Sequence, residues 1–230
     1  MIGWSRMSGT TSAFLTGLML LLATPAFAAD WPDVPLPEGS QAEWVSRHMV
    51  YNGVHMRASR FTSTRTLDQI EAFYHEQWGD EMVRNTLGRK RILGHRDGDH
   101  YITVDLQSAG GGTEANVGIV DMDAPTAGHP PGYGMPKPAN TEVVNDIRYL
   151  DANEARTVLM HNTLSPGLNH DFYLRRLSGQ GWRHEGGSEC LAVSAGCAAR
   201  FVKPGSHLSL TFTRAPNGEG TMVMANQVDE

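Results

Sequence analysis

The sequence predicts an α+β fold of two tandem repeats, each an antiparallel sheet with one packed helix. Three observations predict it. Two helical segments carry a Phe-Tyr pair, Phe73-Tyr74 and Phe172-Tyr173, 99 residues apart. Alternating apolar segments follow each helix, as strands with one buried face require. Between the halves, residues 123–138 are dominated by proline and glycine, a composition that supports neither helix nor ladder.

The chain has 230 residues. Residues 1–28 read as a secretory signal peptide: Arg6, an apolar run from Ala13 to Ala23, and the small-x-small site Ala26-Phe27-Ala28. The run is shorter than the roughly 20 residues of a membrane span, and an uncleaved anchor is the alternative. No other stretch reaches spanning length, so the exported chain is expected to be soluble. Residues 30–122 then form the first module, 123–138 the linker and 139–230 the second module.

In the first module, Asp30–Pro37 is a proline-rich lead-in that cannot be an interior strand. Glu43–Val50 and Val54–Phe61 read as strands joined by Asn52-Gly53, a two-residue hairpin turn. Thr66 and Gln69 form a Thr-x-x-Gln capping box ahead of the first helix. Leu67, Ile70, Tyr74 and Trp78 fall on one stripe of that helix, and Gly79 ends it. Three strands follow: Lys90–Leu93, then His100–Gln107 with Ile102, Val104 and Leu106 on one face, then Thr113–Met122.

The second module has the same order. Glu142–Leu150 and Ala155–His161 are strands. Ser165 and Pro166 open a helix with Leu168, Phe172, Tyr173 and Leu177 as its stripe. Arg200–Val202 and His207–Thr213 correspond to the strands after the first helix, and Gly220-Thr221 leads the last strand.

Charge and cysteine content narrow the function. The formal charge is −6; losing Arg6, the only charged residue of the leader, gives −6 − 1 = −7. That mild acidity offers no nucleic-acid footprint. The densest basic run, Arg89-Lys90-Arg91, reads as a solvated strand start. Two cysteines, Cys190 and Cys197, in an exported chain imply a disulfide. Closing so short a loop contributes on the order of 2–3 kcal/mol at most. A metal or redox pair is the alternative, without the Cys-x-x-Cys spacing it needs.

No residues form a recognisable catalytic set, and no cofactor or metal is expected. His95-Arg-Asp-Gly-Asp-His100 has the alternating acids of a calcium loop, but the twelfth residue from Asp97 is Ser108, not Glu. An Asp-Gly hairpin tip explains it more simply. His161, His170-Asp171 and His184-Glu185 surround the second helix as acid/base candidates. Tyr74 and Tyr173, with His161 and His184, are the candidate ligand contacts. Helix packing is the competing role for the two tyrosines.

The capped Phe-Tyr helix, Gly181-Trp182, the following hairpin and the Gly-Thr strand resemble small periplasmic α+β modules in which one helix lies across an antiparallel sheet. Tandem helix-grip modules of this kind occur in accessory components of outer-membrane assembly machinery. The resemblance implies binding or scaffolding and transfers no catalytic residue. The expected function is therefore a non-catalytic periplasmic or secreted binding or envelope-assembly protein, its partner another envelope protein. The alternatives are a hydrolase using His and Asp or Glu at the domain junction, or a carrier with a small ligand between helix and sheet.

Overall fold

The computed structural model describes residues 31–126, 128–151, 154–191 and 193–230. The leader expected at 1–28 lies outside them. In chain order the elements are β1 (Gln41–Tyr51), β2 (Val54–Ser63), α1 (Leu67–Trp78), β3 (Val83–Leu87), β4 (Lys90–Asp97), β5 (His100–Ala109), β6 (Gly112–Asp121), β7 (Glu142–Tyr149), β8 (Ala155–Asn162), α2 (Pro166–Ser178), β9 (Arg183–Gly187), β10 (Gly196–Lys203), β11 (Ser206–Arg214) and β12 (Thr221–Asp229).

All twelve strands join one antiparallel sheet, in the order β3-β4-β5-β6-β2-β1-β7-β8-β12-β11-β10-β9. This corrects the expected α+β arrangement of tandem repeats with a sheet each. The described residues form mainly one large β-sheet, and two α-helices among them lie on it. The two predicted sheets fuse because β1 and β7 would each otherwise leave an open edge of unpaired N–H and C=O groups. Instead Met49, Val50 and Tyr51 pair with Tyr149, Arg148 and Ile147. Two further bonds extend the seam, from Asn52 N–H to the Asp146 carbonyl (2.8 Å) and from Leu150 N–H to the His48 carbonyl (2.9 Å).

Local chemistry explains most elements. The β1–β2 turn uses Asn52 and Gly53 at φ of 49° and 89°, the left-handed pair a two-residue hairpin demands. In α1 the capping box forms as its sequence implies: Thr66 accepts from Gln69 N–H, and Gln69 accepts from Thr66 N–H. The expected single strand Lys90–Leu93 is β4, running to Asp97. A further strand, β3, precedes it, and β9 stands at the opposite edge.

Register places both helices on one face. Phe61, Ala115, Val117, Ile102 and Val104 point towards α1 and are all but fully buried. Val158, Ala225, Leu210 and Phe201 do the same under α2. Ile70, Tyr74 and Trp78 form the buried side of α1. In α2 the stripe is displaced: Leu168 faces solvent, and Asn169 is buried in its place. Asn169 exchanges side-chain amide bonds with Asn162 (2.8 and 3.0 Å), which satisfies both buried groups.

The Tyr74 hydroxyl is buried with no hydrogen-bond partner among the described residues, and burial pushes its pKa up. The Tyr173 hydroxyl reaches Met160 Sδ at 3.8 Å. An unsatisfied buried hydroxyl carries a desolvation cost of about 1–3 kcal/mol. Tyr74→Phe is therefore expected to raise stability by about 1 kcal/mol, and Tyr173→Phe to give no comparable gain. Urea unfolding midpoints of the two variants check this.

Candidate functional site

The helices leave the centre of their face uncovered. There the strands β2, β1, β7 and β8 meet, and one row of cross-strand neighbours runs His55, Val50, Arg148, Arg156, Gln227. The predicted linker crosses this region. Among its described residues it has neither helix nor strand, as its composition implies. It is nevertheless tied down. Met135 is buried in the core under α2. Gly132 N–H donates to Asp146 Oδ2 at 2.6 Å. His129 and Tyr133 stack with ring centroids 4.0 Å apart.

The result is a cleft of about 290 Å³, lined by His129, Tyr133, Arg148, Tyr149 and Arg156, with Glu154 and Asp229 also on its wall. Asp146 anchors it. Arg156 donates to both its carboxylate oxygens, at 2.9 and 2.7 Å, and also to the Tyr133 carbonyl at 3.0 Å. Burial opposes ionisation of Asp146. The bonds from Arg156 and Gly132, with the charges of Arg156 and Arg148, outweigh it and hold the carboxyl below the usual carboxylate range. At the other wall Asp229 accepts from Ser206 Oγ at 2.6 Å and from Gln227 Nε2 at 3.0 Å. The Ser206 bond leads in lowering its pKa.

The residues singled out in the sequence lie elsewhere. Tyr74 and Tyr173 are wholly buried between helix and sheet. His161 turns its Nε2 to the Glu219 carbonyl, at 2.9 Å, beside the hairpin between β11 and β12. His170 lies 3.6 Å from Asp171 and faces His184 edge-on, with ring centroids 6.2 Å apart. Glu185 pairs with Arg183 on the exposed edge strand β9. The structure thus brings His170, Asp171 and His184 near one another and places His161 apart from them. Cys190 and Cys197 are disulfide-bonded, Cα to Cα 5.3 Å. His95 and His100 flank the β4–β5 hairpin turn. Arg91 of the basic run binds Asp68 and Glu71 of α1, at 2.5 and 2.9 Å.

The cleft residues escaped sequence reasoning because they belong to four separate segments joined only at the seam. One signal was present: Asp146, Arg148 and Arg156 put charge at every second position of adjoining strands, where burial calls for apolar residues.

Among the described residues, the opposite face of the sheet carries no helix. Its register produces an unbroken row: Arg96, Tyr101, Val120, Met56, Met49, Tyr149, Ala155, Val228, His207, Val202, Arg183. From Tyr101 to Val228 it contains no charged side chain, across seven strands from β5 to β12. Most of these side chains are half-exposed; Met49 is buried. No helix of the described residues is long and apolar enough to cross a membrane.

Comparison with protein-family models, curated proteins and solved structures finds no match to this chain.

Proposed function

We propose that this is a non-catalytic binding protein of the bacterial envelope, exported by its leader, which docks another envelope protein on the open face of its sheet. The observation that supports the reading is the uncharged row from Tyr101 to Val228. A solvated antiparallel sheet face ordinarily alternates in polar and charged residues. A half-exposed lane of Tyr, Val and Met through the middle of such a face has the composition of an interface core. The Cys190–Cys197 disulfide accords with an oxidising compartment. The helix-grip resemblance points the same way.

The test is site-directed photocrosslinking in cells. A photoreactive side chain at Tyr101 or Val120 is expected to capture one defined envelope protein. The same probe at His75, exposed on the outer side of α1, is expected to capture none. Absence of a defined product from the sheet-face probes, or the same product from His75, refutes the proposal.

A further inference from the structure

We infer that the cleft on the helix face is a binding site for a small organic monocarboxylate, with Arg148 as its anion-binding group. This lies on the opposite side of the sheet from the proposed docking face and does not depend on it.

The argument starts from register. Arg148 and Arg156 are direct cross-strand partners, and alternation puts both on the helix face. Like charges placed directly opposite one another are destabilising unless countered. Asp146, two residues before Arg148 on the same face, feels the charge of both but hydrogen-bonds only Arg156. Both of its oxygens are taken by Arg156 and Gly132 N–H. Asp229 is likewise occupied, by Ser206 and Gln227. Glu154 stands exposed on the turn before β8 and makes no ion pair with Arg148. Arg148 is exposed, and no described residue hydrogen-bonds or ion-pairs with its guanidinium. The floor therefore presents one guanidinium, with its fork of donors, and no bonded counter-charge. Guanidinium geometry matches a carboxylate bidentately.

Charge and size narrow the ligand. One unbonded cation beside the carboxylates of Glu154 and Asp229 suits a monoanion and disfavours a dianion. The cleft, about 290 Å³, lies at the lower end of the roughly 300–1,000 Å³ typical of small-molecule sites. Its stacked His129–Tyr133 wall suits a flat apolar body attached to the carboxylate.

Benzoate and inorganic phosphate are the probes, titrated into the full chain by calorimetry near neutral pH. Benzoate is expected to bind saturably and phosphate at least tenfold more weakly. Arg148→Gln is expected to reduce benzoate affinity at least tenfold without lowering the melting temperature, because the side chain is exposed and unbonded. Arg200→Gln, which changes an exposed arginine of the open face, is expected to leave binding unchanged. Failure of benzoate to saturate the wild type overturns the inference. So does equal affinity in Arg148→Gln, or phosphate binding as tightly as benzoate.

Discussion

Arg156→Ala will destabilise the protein by about 3–5 kcal/mol, the cost of removing one partner of a buried ion pair. In a unit of this size that lowers the melting temperature by about 10 °C. The size of the effect comes from what is left behind. The Asp146 side chain is only 8% exposed, and Arg156 supplies two of its three hydrogen bonds. Without Arg156 the carboxylate stays under the linker with one backbone donor. The pH dependence separates this cause from simple loss of packing. In the wild type the Asp146 pKa is lowered on folding. Its contribution is therefore present above the unfolded-state value, near 4, and is lost as pH falls through the lower folded value. In Arg156→Ala desolvation dominates, and the carboxyl is expected to titrate above its unfolded value. Protonation then relieves the variant. The stability gap between wild type and variant should be widest at neutral pH and should shrink towards pH 3. Urea unfolding of both proteins across that range measures it. A gap independent of pH would mean that the Arg156 stem, not its charge, is what matters.

The sequence was most informative where physics is local. The Thr66-Gln69 capping box, the Asn52-Gly53 turn and the Ile102-Val104-Leu106 alternation each depend on neighbours within a few residues, and each appears in the structure where its pattern implies. Legibility failed where partners are distant. Alternation tells a strand which face is buried but not which strand lies beside it, so the pairing of β1 with β7 that merges two expected sheets into one was invisible. The edge strand β3 was missed for another reason. Val83 to Leu87 are all exposed, so burial imposes no pattern on them. The linker's lack of helix and strand was legible in its composition, but the bonds that hold it were not, since they come from Asp146 and Arg156, downstream in the chain. Asn169 broke the α2 stripe because a polar residue inside a core is explained only by its partner, Asn162.

Gly220→Ala will be the costliest glycine substitution in the second half, at about 4 kcal/mol, and two other glycines resolve the reason. Both helices are entered by the same corner. Thr113 Oγ1 donates to the Arg65 carbonyl at 2.8 Å, and Thr221 Oγ1 donates to the Leu164 carbonyl at 2.6 Å. The strand carrying each threonine must pass close to the chain leading into the helix, and glycine allows the approach. A Cβ on Gly112 would lie 2.1 Å from the Ser63 carbonyl oxygen, and one on Gly220 would lie 2.0 Å from that of Asn162. These obstacles are backbone, so no rotamer relieves them, and overpacking of this kind costs about 1–3 kcal/mol. Gly220 also has φ of 82°, which adds about 1–2 kcal/mol for any residue with a Cβ. Gly218 isolates that second cost: its φ is 79°, with nothing within 4 Å of an added Cβ. Gly112, outside the positive-φ set, isolates the first. The expected order is Gly220→Ala at about 4, Gly112→Ala at about 2–3 and Gly218→Ala at about 1 kcal/mol, measured by urea unfolding. If Gly218→Ala costs as much as Gly220→Ala, backbone conformation alone explains the requirement. If the two costs add at Gly220, close approach of strand to helix entry is what makes glycine necessary there, and the same holds at Gly112 on the other side of the seam.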